Sequence, residues 1–416
     1  MPVIQTTISD SVPMTLGKGA AQPKHRSLQK SADSALKAAA GFWFVVVFIG
    51  QLLFAFSTAS FYGLTAMRGN WRAWNKNMTH GYAPGYHFGN TVVAIHLASA
   101  VIIILSGALQ LVPLIRKRAP VFHRWNGRIY MVSALTVSLA GLYMMWFRGT
   151  VGGFFQHIGQ SLDAVLILLC AAMALRYAMG RNFATHRRWA LRLYLVVSAS
   201  LFIRAASILL PLAPAGGPFG FDPSTFSGPF LTELSFAQYL VPLAILELYL
   251  RTQAKPGAAR RFAMAAALFV VTIALGAGIA TAAAGVFLPH IKSAFDSRRS
   301  VVDTLSATIA SSGIDAAVQQ YHALKATQPT VYNFDENELN ALGYDLIKSR
   351  KLDAAVRIFQ LNVEAYPQSG NVYDSLAEAY MDEGNKPVAI ADYNKSLQIN
   401  PKNRNAVQML KRLNAP

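Results

Sequence analysis

Seven apolar stretches dominate the sequence, at 41–64, 91–115, 129–147, 155–178, 193–213, 230–250 and 262–288. A helix needs about 20 apolar residues to cross the hydrocarbon core of a bilayer, so each stretch reads as a membrane-spanning helix. The fourth, fifth and sixth are less clean, since they contain Asp163, Arg204 and Glu247 respectively. The first does not read as a cleavable signal peptide, because it follows 40 polar residues and lacks a small-residue cleavage site. Residues 1–40, rich in Ser, Ala, Lys and Gln, read as a disordered basic cytoplasmic tail.

The charge supports this division. The chain carries a net +18, which on its own invites a nucleic-acid reading. Residues 289–416 hold 14 basic and 14 acidic residues, however, so the whole excess lies in residues 1–288, with 24 basic and six acidic. That is where the apolar stretches are, and the expectation is a lipid bilayer as partner and no nucleic acid. With the N-terminus placed inside, 19 of the 24 cations fall on the cytoplasmic side: five in the N-terminal tail, five between Arg116 and Arg128, five between Arg176 and Arg192, and four between Arg251 and Arg261. Arg68, Arg72, Lys76 and Arg148 fall on the other side. The positive-inside rule then gives a bacterial inner-membrane protein with a cytoplasmic N-terminus and, after seven crossings, a periplasmic C-terminal domain.

That domain, 289–416, carries an internal period. Pro367 and Pro401, Ala355 and Ala389, and Phe359 and Tyr393 are each 34 residues apart. The segment 314–321, IDAAVQQY, echoes 352–359, LDAAVRIF, at an offset of 38, so four residues are inserted or the register is looser. This pattern resembles the tetratricopeptide repeat, a 34-residue pair of helices. The resemblance implies a helical solenoid over about 300–414, with two regular units, one degenerate unit and a capping helix at 404–414. It also implies a protein partner, because such repeats stack into extended binding surfaces. A domain that only packs on its own membrane part is the plainer alternative. The expected fold class is thus all-α: a seven-span bundle over 41–288 followed by an extracytoplasmic repeat solenoid.

The most informative residues lie in a duplicated hairpin at 91–213. His96 is followed by His123-Arg124-Trp125, then Arg128 and Tyr130. His157 is followed by His186-Arg187-Arg188-Trp189, then Arg192 and Tyr194. The expected topology puts His96 and His157 near the outer surface and His123 and His186 near the inner one. Paired imidazoles inside a helix bundle suit the axial positions of haem iron. The plan is similar to that of two-haem transmembrane cytochromes b that exchange electrons with ascorbate or quinone. Haem b is therefore the expected cofactor, with His96, His157, His123 and His186 as iron ligands and Arg124, Arg128, Arg187, Arg188 and Arg192 as partners for propionates. The inner pair sits shallow: His123 precedes the apolar stretch at Ile129 by six residues, about 9 Å of helix. There the same Arg-His-Trp clusters equally suit anchoring at the membrane interface. For the outer pair the plainer reading is a hydrogen bond between packed helices.

Residues His96, Gly107-Ala-Leu-Gln110, His123-Arg124-Trp125, Gly127-Arg128, Tyr130, His186-Arg187-Arg188-Trp189 and Arg204 also resemble a family of bacterial predicted membrane proteins of unknown function. That resemblance implies a shared fold over about 91–213 and no particular activity. Asp163 and Arg204, at similar depth, are expected to form a structural ion pair. His80 and His87, with Trp71, Trp74, Tyr82 and Tyr86, lie in the outer loop 65–90, where the aromatics read as an interfacial belt. The single cysteine, Cys170, excludes an intramolecular disulfide and a Cys-ligated cluster. No phosphate-binding loop, G-x-S-x-G, H-E-x-x-H or C-x-x-C-H motif is present. Two functions follow as expectations: a b-type haem electron carrier with a protein-binding repeat domain, or a non-catalytic membrane adaptor whose repeats recruit an envelope partner. A transporter is a third and weaker option, because the duplication is parallel and not inverted.

Overall fold

The computed structural model of the chain describes residues 23–78, 80–206, 209, 220 and 226–413. Contacts divide the chain into two units, Met1–Ala294 and Phe295–Pro416.

The first unit is a helix bundle. Its elements are α1 Pro23–Thr58, α2 Leu64–Met67, α3 His87–Leu111, α4 Pro113–Arg118, α5 Pro120–Tyr143, α6 Phe154–Met179, α7 Phe183–Val197, α8 Ala199–Ala205, α9 Pro229–Ala254, α10 Ala258–Ala282 and α11 Leu288–Phe295. Short π-helical turns prolong α1, α5 and α10, at Ala59–Gly63, Met144–Gly149 and Ala283–Phe287. Among the described residues six helical stretches are long and apolar enough to cross a bilayer: Ser27–Met67, His87–Leu111, Pro120–Gly149, Phe154–Met179, Pro229–Ala254 and Ala258–Phe295. Every one of them leaves large apolar side chains uncovered. Val45, Ile49 and Phe56 on α1, Val132, Leu135 and Leu139 on α5, and Val270 and Ile273 on α10 are all about half exposed or more. Apolar surface on this scale needs a non-aqueous solvent, and the chain is a multi-pass integral membrane protein.

The expected fifth span, 193–213, is not a seventh uninterrupted helix. Its first part is the end of α7 and all of α8, with a break at Ser198, and most of 207–213 lies outside the described residues. The α7–α8 segment lacks a long apolar window because Arg187, Arg188 and Arg192 occupy its first half.

A second expectation needs correcting. Residues 23–40, read as part of a disordered tail, form the first turns of α1. The reason is long-range. Ala32, Leu36 and Ala39 recur at helical spacing and are buried, and Leu36 and Ala39 share a cluster with Ala265 and Leu268 of α10. Asp33 also pairs with Arg261. Residues 1–22 lie outside the described residues.

Around the bundle, α1 packs on α10 and α3, α3 on α5, α5 on α6, and α6 on α7 and α9. Two glycines allow close approaches between helices. A Cβ at Gly107 of α3 would come 2.8 Å from the Tyr130 ring of α5, and one at Gly278 of α10 would collide with the Ala205 carbonyl. The unit boundary falls a few residues later than the charge division at 288 because α11 belongs to the bundle. Ala294 is buried beside Phe61 and Ala73, and Arg68 Nη1 donates to its carbonyl at 2.8 Å.

The second unit consists of α12 Val301–Ser312, α13 Ile314–Thr327, α14 Glu336–Lys348, α15 Leu352–Ala365, α16 Gly370–Glu383, α17 Lys386–Ile399 and α18 Arg404–Leu413. Each packs on the next from α14 onward. The pair α16–α17 starts 34 residues after the pair α14–α15 at both of its helices. The small residues of the repeat fit close contacts: Ala355 and Ala389 are fully buried, and Gly343 lies face to face with the Phe359 ring. The offset of 38 also has a place. Eight residues (328–335) connect α13 to α14, against four (366–369) between α15 and α16. The extra residues include β2, Tyr332–Asn333, which pairs in parallel with β1, Arg299–Ser300.

One carboxyl in this unit yields a pH prediction. Burial pushes Asp392 of α17 from the ordinary 3.8 up to about 6. The folded unit therefore holds a proton that the unfolded chain has released, and its stability falls as pH rises from about 4 to about 6 and is flat above. Asp392→Asn is expected to remove that slope and to stabilise the unit at pH 7 by about 1 kcal/mol, after allowance for partial exposure. All six tryptophans lie in the first unit, so proteolysis of α17 in the native full-length protein is the suitable readout.

Candidate functional site

The four histidines sit on four helices of the bundle, His96 on α3, His123 on α5, His157 on α6 and His186 on α7. His96 is half-buried, and its Nδ1 donates to the Val137 carbonyl of α5 at 3.1 Å. Gly141, one turn on, leaves room for the ring, since a Cβ there would lie 3.4 Å from His96 Cε1. A carbonyl only accepts, so the Nδ1 proton is fixed and Nε2 keeps its lone pair. His157 packs edge-on against Trp146 of the π-helical turn after α5, at 5.9 Å, with its Nε2 3.3 Å from Thr150 Oγ1. His96 and His157 thus both lean on α5 and its continuation.

At the opposite end, His186 Nδ1 donates to the Ala174 carbonyl of α6 at 2.8 Å, which again leaves Nε2 free. His123 Nδ1 is buried without a hydrogen-bond partner. Gln110 Nε2 of α3 donates to the His123 carbonyl at 2.8 Å. His123 and His186 lie within electrostatic range of one another and Arg116 lies near them.

The duplicated arginines divide into two kinds. Arg128 lies over the Trp125 ring at 4.6 Å and Arg192 over the Trp189 ring at 4.8 Å. The repeated Trp-x-x-Arg is therefore the same cation–π pair made twice, one turn along each helix. Arg192 is further committed to Glu247 of α9, with Nη2–Oε1 at 2.5 Å and Nε–Oε1 at 2.8 Å. Glu247, to which the sequence assigned no chemistry, is thus the partner of Arg192. Arg124, Arg187 and Arg188 are exposed.

The expected Asp163–Arg204 pair does not form. Arg204 Nη1 donates to the Ser200 carbonyl of its own helix at 2.6 Å, and its guanidinium lies over the Phe54 ring of α1 at 4.4 Å. Asp163 Oδ1, on α6, is buried without a partner. Similar depth in the membrane does not give two side chains the same azimuth, and Arg204 turns towards α1. The loop 65–90 also differs from expectation. Trp74 is buried, donating from Nε1 to the Tyr62 carbonyl and Thr65 Oγ1 at 3.2 and 3.1 Å, so it is core and not belt. Arg148 ties the loop down through Nε to the His80 carbonyl at 2.5 Å and Nη2 to Asn90 Oδ1 at 2.8 Å.

Sequence reasoning missed a group of phenols. Tyr130 of α5, Tyr194 of α7 and Tyr239 of α9 are almost fully buried, and none of their hydroxyls has a hydrogen-bond partner among the described residues. Tyr130 and Tyr194 occupy equivalent places in the duplicated hairpin. That equivalence was the available signal. The described residues contain no cluster of three or more His, Cys, Asp or Glu with metal-site geometry.

Helices, lipid-facing surface and intramembrane polar residues together define a polytopic membrane protein. Residues 93–241, about a third of the chain, match a family described as "Predicted membrane protein (DUF2306)". The chain is similar to that family from α3 to α9, which includes all four histidines and the three buried tyrosines. No curated protein matches it.

Proposed function

We propose that the first unit is a b-type haem electron carrier and that the second is a tetratricopeptide-repeat domain that binds a protein partner. The observation that carries the haem reading is the state of two imidazoles. His96 and His186, one in each hairpin, both have Nδ1 fixed on a main-chain carbonyl, the second-sphere arrangement that orients a metal-ligating imidazole and leaves Nε2 to the metal. His123, near His186 and with an unpartnered Nδ1, supports an inner site. The donors at that end fit haem: His123 and His186 would hold the iron, and Arg124, Arg187 and Arg188 would meet the propionates. Arg128 and Arg192 orient the helix ends through Trp125 and Trp189. At the outer end His96 fits and His157 fits less well, because its Nε2 is within reach of Thr150. Haem supplies reversible one-electron chemistry when bound. The chain's own residues hold the imidazole tautomers, screen the site from water and place it at a chosen depth. Purified full-length protein should show the absorption of low-spin haem.

The topology belongs to the same reading. We take the apolar stretch 193–213, which begins in α7 and α8, as the broken crossing that completes seven spans: its 21 residues are about the number that the hydrocarbon core needs. With the cations inside, the N-terminus is cytoplasmic, the membrane is a bacterial inner membrane and the repeats are extracytoplasmic. The 34-residue spacing of α14–α15 and α16–α17 supports the repeat assignment. Photo-crosslinking in intact cells is expected to capture a partner with full-length protein and to lose it when residues 296–416 are deleted. An unchanged set of crosslinked proteins would count against recruitment by the repeats. The alternative, a non-catalytic adaptor, is favoured by one observation: the two Trp–Arg pairs are what interfacial anchors look like.

A further inference from the structure

Four of the buried polar atoms left without partners in the bundle, Asp163 Oδ1 of α6 and the hydroxyls of Tyr130, Tyr194 and Tyr239, belong to α6 and to three helices packed on it. Asp163, Ile167, Cys170 and Ala174 follow each other on α6 at spacings of four, three and four residues, which keeps them on one stripe. Asp163 lies within electrostatic range of Tyr239 and Cys170, and Tyr130 within range of Tyr194 and Cys170. The three tyrosines come from α9, α5 and α7, the helices packed on α6. Each is less than 5% exposed: Tyr130 4%, Tyr194 3% and Tyr239 1%. The stripe ends at the Ala174 carbonyl, which holds His186.

Burying a hydroxyl without a partner costs on the order of 1–3 kcal/mol, and an isolated carboxylate costs far more. Two of the phenols, Tyr130 and Tyr239, share a buried cluster with Ile167 and Cys170 of the stripe. Among the described residues no ion pair compensates Asp163. Arg204 faces α1, and Arg192, within electrostatic range of Cys170, is committed to Glu247. The remaining groups that face Asp163 are Tyr239 from α9 and Cys170 from its own helix, with Tyr130 from α5 and Tyr194 from α7 further along, the last beside Ser198. A buried water needs two to four polar partners, and this stripe offers them.

We propose that Asp163 is a proton-binding site in the interior of the bundle, joined towards the His186 end by water held between Tyr239, Cys170, Tyr130 and Tyr194. The neutral carboxylic acid is the resting form. Each transfer breaks one O–H bond and forms another, so a proton moves and nothing is oxidised or reduced. The site stands on these side chains alone and is independent of iron.

Infrared spectroscopy of the full-length protein in lipid nanodiscs tests this directly. At about neutral pH the wild type should show a carboxylic C=O band that shifts in heavy water and is absent from Asp163→Asn. Asp163→Glu should move the band instead of removing it, which covers the case in which the Asn variant fails to fold. In Tyr130→Phe/Tyr194→Phe the band should remain and exchange with solvent deuterium roughly tenfold more slowly, the effect of about one lost hydrogen bond. A spectrum in which neither Asp163 substitution changes a carboxylic band would overturn the proposal. So would a band that does not exchange in the wild type, or one that exchanges equally fast in the double-Phe variant.

Discussion

Gly278→Ala is expected to destabilise the membrane unit by about 2 kcal/mol, whereas Gly41→Ala is expected to stabilise it slightly. Both glycines lie in long helices, where alanine is intrinsically better by roughly 0.8–1 kcal/mol. Their surroundings set the opposite signs. A Cβ at Gly41 of α1 meets nothing within 4 Å. A Cβ at Gly278 of α10 would drive into the carbonyl of Ala205 on α8, and backbone cannot step aside as a side-chain tip can. To admit the methyl, α10 must withdraw from α8, loosening Ile279 and Ala282 from Leu201, Phe202 and Ala205. Overpacking of this kind costs about 1–3 kcal/mol in a well-packed core, more than the gain in helix propensity. Thermal unfolding of the two variants in detergent, followed by tryptophan fluorescence, compares them directly. Equal melting temperatures would mean that the α8–α10 approach is looser than described.

The second large effect concerns the histidines. If His123 and His186 hold haem, removing either imidazole takes away one of the two side chains that would hold it, and haem bound at that end should fall to near background in His123→Ala and in His186→Ala. His157→Ala should act on the outer end alone. His96→Ala should do the same and also release the Val137 carbonyl of α5. Haem stoichiometry per chain therefore separates a one-haem from a two-haem protein: a one-haem inner site loses everything in the inner variants and nothing in the outer ones. Protein yield and fluorescence melting check that each variant remains folded. Retention of full haem in all four would remove these imidazoles as ligands.

Much of this arrangement was legible in the sequence, for physical reasons that differ from part to part. Helices that face lipid must be apolar all round, so six of the seven stretches could be located from composition alone. The repeat was legible because Ala355/Ala389 and Phe359/Tyr393 sit at contacts that every unit must make, and even the inserted four residues were countable before their place at 328–335 was known. Residues 23–40 were misread because Ala32, Leu36 and Ala39 are a weak pattern until α10, more than 200 residues away, supplies Ala265 and Leu268. Asp163 and Arg204 were misread because hydropathy gives depth along the membrane normal and says nothing of rotation about a helix axis. Tyr130 and Tyr194 stood in the repeated motif, yet a tyrosine in an apolar stretch looks like packing. Only the assembled bundle shows their hydroxyls enclosed with Tyr239 and without partners. The duplicated Trp-x-x-Arg was legible as a repeat and not as a contact, and its meaning became plain once Arg128 and Arg192 were found over Trp125 and Trp189.

The central claim is that the bundle carries haem, and the absorbance spectrum of the purified full-length protein tests it most directly. Protein isolated in mild detergent from haem-replete cells should be red, with a Soret band, sharp visible bands on reduction, and haem b recovered by pyridine extraction in whole-number ratio to the chain. A colourless preparation with no extractable haem would contradict it.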